Sequence, residues 1–306
     1  MTAHSTKRTA LTLGPLLYNW PAEYRRDFYA RIADEAPVDT VCLGEVVCTK
    51  RAPFTDPDLP AIAERLVAGG KEVVFSTLAL VMDERDRELA AGFASATDLL
   101  VEANDLGAVH QLAGRPHFIG PFINVYNEAT LAWLMRRGAR RVSLAFELPQ
   151  PAIAALAAAV PEVELEVTAF GRMPLAISAR CYHARVHGLH KDGCRYVCGE
   201  DMDGLAVDTL DGAGFLAVNG LQTLSHGVAG LTGELAQLNA SGINRFRLWP
   251  HSIDMVAVSR LYRDLLDQKL DADEATDRLA AMVPFAPLVT GFVNGQPGAW
   301  PKLAQA

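Results

Sequence analysis

One alternation limits what this chain can fold into: a short apolar run, then an amphipathic stretch, repeated along most of its length. The apolar runs fall at 11–17, 40–44, 72–77, 99–102, 117–123, 141–146, 163–170 and 245–248. Helical spacing fills the gaps. Pro21 opens one stretch in which Tyr24, Phe28 and Ile32 recur every four residues on a single face. Others cover 59–68, stopped by Gly69-Gly70, and 86–94, 128–137 and 151–160. Eight strands, each followed by a helix or helix-like connection at roughly 25 residues per unit, predict an α/β chain folded as a TIM-like (β/α)8 barrel. Residues 1–306 form a single domain on this reading. An open doubly wound sheet shares the alternation. It is disfavoured because the first strand–helix turn carries Gly14-Pro15 rather than a glycine-rich dinucleotide fingerprint.

The alternation breaks after strand seven. Residues 171–204 show no clear helical or strand period and are punctuated by Gly188, Gly193, Gly199 and Gly204. This predicts a cysteine-rich insertion within the barrel, since the segment holds Cys181, Cys194 and Cys198, with His183, His187 and His190. It buries too little apolar surface to be fixed by its own packing, so a crosslink is expected, and thiolates on a metal would supply one. Beyond it, 205–207 and 215–218 read as a hairpin around Asp211-Gly212, and 230–240 and 253–270 as helices.

Charge and hydropathy bear on where such thiols would sit. With 28 basic and 36 acidic residues the chain carries −8, which disfavours nucleic acid or an anionic membrane as a general partner. No apolar run approaches a membrane span, and the first 17 residues lack the build of a signal peptide. A cytoplasmic location is the expectation. Thiols stay reduced there, so clustered cysteines are read as metal-binding or catalytic before they are read as disulfides.

In a barrel, the carboxyl ends of the strands face the functional side. Polar residues crowd those positions: Glu45, Cys48, Lys50 and Arg51 after strand two, Ser76 and Thr77 after three, Glu102, Asn104 and Asp105 after four. Asn124, Tyr126 and Asn127 follow strand five, with Glu147, Arg172 and His251 at later ends. A polar pocket is expected, with Glu45, Lys50, Arg51 and Asn104 as its lining. Cys48 shares that side with the insertion, and a loop of more than twenty residues at about 3.3 Å each crosses a barrel mouth, so Cys48, Cys181, Cys194 and Cys198 can converge. Four thiolates suit a structural zinc or an iron–sulfur cluster. Neither close pair has the two-residue spacing of a zinc knuckle, whereas a cubane accepts ligands from separate loops. Zinc and unligated thiols remain alternatives, and the histidines could replace a cysteine on zinc. Cys42, inside strand two, reads as a small buried hydrophobe. There is no His-Glu-x-x-His helix, Gly-x-Ser-x-Gly elbow or Walker loop, and Cys48 lacks any local signature of a nucleophile.

Several blocks resemble a known family. LGPLLYNWP at 13–21, CLGEVVCTKR at 42–51, STLALV at 76–81 and VEANDLGAV at 101–109 look like the UbiV proteins, a branch of the collagenase-like peptidase family. So do NVYNEATL at 124–131, FGRMPLAISARCYHAR at 170–185 and NGLQTLS at 219–225. The resemblance implies a [4Fe-4S] cluster, with Cys48, Cys181, Cys194 and Cys198 at the matching ligand positions. It also implies a heterodimer with a UbiU-like protein that carries its own cluster. Together they would support O2-independent hydroxylation of the ubiquinone precursor ring, with prephenate as oxygen donor and a UbiT-like lipid carrier presenting the ring. The alternatives are a metal-stabilised binding subunit without chemistry of its own, and a collagenase-like peptidase.

Overall fold

The structure, a computed structural model, describes residues 8–299 and 301. The start of the stretch read above as unlike a signal peptide lies outside them. The strands are β1 (Ala10–Leu13), β2 (Thr40–Leu43), β3 (Glu72–Ser76), β4 (Val101–Ala103), β5 (His117–Ile119), β6 (Ala139–Ser143), β7 (Glu164–Ile177), β8 (Leu205–Asp208), β9 (Gly214–Asn219), β10 (Gln222–Gly230), β11 (Arg245–Leu248) and β12 (Leu288–Val289). The helices are α1 (Ala22–Glu35), α2 (Ala52–Thr55), α3 (Leu59–Ala68), α4 (Glu84–Ser95), α5 (Leu106–Gln111), α6 (Glu128–Arg136), α7 (Gln150–Ala159), α8 (Tyr182–Val186), α9 (Leu235–Ala240), α10 (Met255–Leu266) and α11 (Ala272–Met282). None is long and apolar enough to cross a membrane.

β1 to β7 pair in sequence order, all in parallel, and β11 closes the ring by pairing in parallel with both β7 and β1. This is the closed eight-stranded barrel that the alternation predicts. Side chains alternate along each strand. On β2, Val41 and Leu43 join the main apolar core with Phe28, Ile32 and Leu66 of the surrounding helices. Cys42 faces the other way, into the lumen.

That lumen is charged, where barrels usually hold branched aliphatic residues. Near its base, Arg245 donates to Thr12 (3.2 Å) and Thr40 (2.8 Å), while Arg141 binds Glu164 (2.6 Å) and Glu72 (2.8 Å). Two residues further along β7 and β11, Arg247 Nε donates to Glu166 at 2.5 Å and its Nη2 binds Glu102, which also accepts from Ser76 at 2.9 Å. The Arg247 guanidinium lies under the Trp249 ring, 5.3 Å from its centroid. Gly171 has φ +119, and a Cβ there would come within 2.5 Å of the Trp249 Cβ, so the indole needs a glycine beside it.

Three elements differ from the sequence reading. The first part of the expected insertion, 171–177, is the second half of β7, which leaves the barrel and pairs antiparallel with β10. β10 itself falls partly where a helix from 230 and an unassigned turn are expected. Its sequence, QTLSHGVAG, has little strand-like alternation, and its pairing with β7 is interrupted by register shifts. β10 then pairs with β9 and β9 with β8, which is the expected hairpin. Strand five stops at Ile119 rather than 123, because Pro121 cannot continue the ladder and starts a 3-10 turn.

Candidate metal centre

Past β2 the chain turns at Gly44 and runs through Glu45, Val46 and Val47 to Cys48. Glu45 is buried and fixes this loop by accepting the backbone N–H groups of Val47 (2.8 Å) and Cys48 (2.9 Å). Past β7, Cys181 caps α8, taking the N–H of Ala184 on its sulfur at 3.4 Å. Cys194 ends one 3-10 turn and Cys198 lies in the next. Between them Arg195 and Tyr196 both hold left-handed backbone (φ 48 and 57). Two such residues in a row cost about 1–3 kcal/mol each. Tyr196 is seated edge-on against Phe54 at 4.8 Å, which helps hold the turn.

These segments bring four sulfurs to one cavity. Its lining is Cys48, Cys181, Cys194 and Cys198 with Lys50, Arg51, Lys191, Tyr196, Val197, Gly220 and Leu221. No histidine borders it. Cys181 and Leu221 of its lining pack in an apolar cluster with Leu17, Val46, Val47 and Trp249. Trp249 in turn lies against Arg247 of the charged lumen. Cys42 lies on the lumen side, its sulfur 3.9 Å from Arg247 Nη2.

Arg51 is the organising cation. It is 1% exposed and donates to the Leu17 carbonyl (3.1 Å) and Asn219 Oδ1 (2.7 Å), with Glu45 at 3.8 Å. Asn219 in turn donates to the carbonyls of Cys198 and Asp201, both at 2.9 Å. Gly220, next in the chain, has φ +65, and a Cβ there would sit 2.3 Å from Arg51 Nη2. Lys50 reaches across to Lys191 O (2.7 Å) and Asp192 (3.0 Å), tying the Cys48 loop to the Cys194 turn. Asn19 approaches Cys198 Sγ at 3.6 Å. Asn19 and Asn219 carry no chemical signal in the sequence, although both lie in the blocks at 13–21 and 219–225 that carry the resemblance.

Two of the thiols, Cys48 and Cys181, are electrostatically costly to ionise alone. Burial pushes Cys48 up to about 11 against the pull of Arg51. Burial also raises Cys181, despite the Ala184 N–H aimed at its sulfur. A metal that takes these thiolates must therefore displace protons from them. Among the described residues, the one group of three or more metal-type donor atoms lying within 4.8 Å of one another is His183, His187 and Asp201, and it includes no cysteine. A single tetrahedral zinc with Zn–S near 2.3 Å holds its sulfurs about 3.8 Å apart. No three of the four sulfurs lie within 4.8 Å of one another as the loops stand, so a zinc would have to draw them together, whereas a polynuclear group accepts wider spacing.

The other sequence-selected polar residues go elsewhere. Asn104 is buried beside β3, its N–H bonded to Thr77 Oγ1 (3.0 Å) and its side-chain amide to Thr77 O (3.1 Å). Asp105 and Asn127 cap α5 and α6. Arg172 donates to Ser225 O at 2.7 Å and braces β7 against β10. His190 accepts the Gly193 N–H at 3.2 Å. His183 lies on α8 with its Nδ1 3.2 Å from Val218 O, and burial holds it below the usual histidine range.

The sequence model described as Peptidase family U32 matches residues 27–299. Among solved structures, N-acetylneuraminate lyase from Fusobacterium nucleatum complexed with pyruvate is similar at 8% identity, over 88% of this chain and 77% of that one, with a TM-score of 0.47. Another structure of the same lyase gives 8% identity, 88% and 79% coverage, and a TM-score of 0.46.

Proposed function

The chain belongs to peptidase family U32, and from that premise we propose that it is an iron–sulfur subunit of an O2-independent ring hydroxylase. Cys48, Cys181, Cys194 and Cys198 would hold a [4Fe-4S] cluster. The supporting observation is that four cysteines from separate segments line one cavity with Lys50, Arg51 and Lys191, no three of their sulfurs lying within 4.8 Å of one another. The cations offset the negative charge of a thiolate-ligated cluster. When bound, the cluster supplies one-electron chemistry or fixes the mouth of the barrel. This chain's residues do the rest. Glu45 holds the Cys48 loop, and Arg51 and Asn219 hold the Cys198 turn.

The likeness of its sequence blocks to UbiV proteins supports the finer reading: a heterodimer with a UbiU-like partner, ubiquinone precursor as substrate and prephenate as oxygen donor. The test is anaerobic purification with iron and acid-labile sulfide analysis, beside quinone content of a deletion strain grown without oxygen. Cluster iron with quinone loss is expected. One zinc with no iron, or normal quinone, overturns the corresponding half.

The family's name favours peptide hydrolysis as a second reading. Ser252, His251 and Asp203 form the nearest thing to a hydrolytic set. Asp203 takes the Ser252 N–H (2.8 Å), the Ser252 hydroxyl and His251 Nδ1 (3.2 Å). His251 Nε2, however, already accepts the Arg172 N–H at 3.1 Å. Its lone pair is taken, so it cannot draw a proton from a serine. Cleavage of a peptide panel that survives loss of all four cavity cysteines would favour the peptidase reading instead.

A further inference from the structure

We propose that His183, His187 and Asp201 form a second, mononuclear site for a divalent transition-metal ion, separate from the four-cysteine cavity. His183 lies on α8 and His187, four residues on, caps its C-terminus, and their rings stack with centroids 5.5 Å apart at 8°. Cys181 is two residues before His183 and projects from a different side. Donor atoms of the two imidazoles and the Asp201 carboxylate all lie within 4.8 Å of one another.

The arrangement around His183 calls for a cation. Its side chain is fully buried, and Nδ1 lies 3.2 Å from the Val218 carbonyl. A carbonyl only accepts, so Nδ1 carries the hydrogen and Nε2 the lone pair. That lone pair sits 3.0 Å from Asp201 Oδ2 and has no hydrogen-bond partner. Two acceptors this close repel unless a proton or a metal ion joins them, and the third donor, on His187, is what a metal ion would use and a proton would not. An ion with bonds of about 2.0–2.2 Å to N and O holds neighbouring donors roughly 3.0–3.5 Å apart, so the His183–Asp201 pair is already at coordinating distance. The Nδ1–carbonyl bond is the outer-shell contact that metal-bound histidines usually make.

Two imidazoles and a carboxylate leave room for water, because His187 is exposed and Asp201 half-buried. Such a donor set suits zinc or ferrous iron. Asn219 anchors both centres through the Cys198 and Asp201 carbonyls. The second ion would therefore pin α8 to the turn that carries Cys198.

The probe is Co2+, added to the full chain purified anaerobically without chelator, read by visible absorption and by metal analysis. About one ion per chain with N/O-type bands and no sulfur charge-transfer band is expected. His187→Ala, on an exposed side chain, should weaken it at least 10-fold, as should Asp201→Asn. Cys48→Ser should remove cluster iron and sulfide yet leave this ion bound, so loss of the cluster reading and loss of this one are told apart. No ion beyond the cluster, or affinity unchanged in both His187→Ala and Asp201→Asn, overturns the proposal.

Discussion

The barrel lumen and the cavity above Trp249 are both polar, both buried and only one indole apart, yet they solve burial in opposite ways. In the lumen every carboxylate named above has a guanidinium. Burial pushes Glu166 up, but Arg247, Arg245 and Arg141 outweigh it and leave its carboxyl below the usual range. Charge is neutralised by side chains already present. In the cavity the donors are thiols, of which burial raises Cys48 and Cys181, and the nearby cations Lys50 and Arg51 face Asp192 and Glu45 outside the sulfur cluster. The lumen neutralises its charge with its own side chains, whereas the cavity would hold thiolate charge only with the metal group proposed for it. Structure and chemistry divide at Trp249.

The largest expected effect tests the cavity side. Cys181→Ser or Cys198→Ser should abolish about four iron and four sulfide per chain, measured after anaerobic purification, while far-ultraviolet circular dichroism keeps the barrel's signature. Full iron in either variant would mean the cavity is not the site. Next comes the lumen. Arg247→Met should cost about 3–5 kcal/mol in denaturant unfolding, because it strands Glu102 and Glu166 without a cation. A loss below about 1 kcal/mol would show that the lumen is wetter than its packing implies.

Some of this contrast is legible in the sequence. The eight barrel strands stand out because their helix-facing residues, such as Val41 and Leu43, are apolar whatever the lumen contains. Cys48 reads as facing the same side as the other three cysteines, since position after a strand fixes the side. The charged lumen is not legible. Glu164, Glu166, Arg245 and Arg247 alternate with apolar neighbours, and nothing local says that they meet across the ring. β10 is hidden by its serine, histidine and glycines. With it goes the β9–β10 turn that delivers Asn219 and Gly220 to Arg51. Strand-end polarity also over-reports a pocket, because Asp105 and Asn127 are helix caps and Glu45 a loop brace.

Arg51 is where the two regions are alike: a buried arginine whose Nη1 and Nη2 both donate to buried oxygens. Arg51→Met should therefore cost stability as a lumen arginine does, about 2–4 kcal/mol, by leaving Asn219 Oδ1 without its donor and the buried Glu45 without its neighbouring cation. Unlike Arg247→Met, it should also lower iron content. Equal iron in the two variants would erase the distinction. A smaller effect comes from pH. Burial keeps His251 below its ordinary 6.5 despite Asp203. The unfolded chain then binds the proton more readily, so this contribution is full above 6.5 and shrinks as pH falls through the folded value. Protonation would also turn Nε2 against the Arg172 N–H. Unfolding free energy measured from pH 7 to 5 should fall, and His251→Asn should flatten that slope.

The smallest expected effect is the most discriminating about where the boundary lies. Cys42 is the fifth thiol and the one residue that could blur the two regions, because it shares a strand and a loop with Cys48. It is buried on the lumen side, packed with Val74 and Phe118 and 3.9 Å from Arg247 Nη2. Burial holds its thiol well above the ordinary range, with Glu102 adding to the effect, so it behaves as a small neutral filler. Cys42→Ala removes one sulfur from a packed site and should cost about 1 kcal/mol, with iron and sulfide unchanged. If iron fell as it does in Cys48→Ser, the cluster would have to draw a ligand from beneath Trp249. The indole would then be no barrier, and lumen and cavity would be one site.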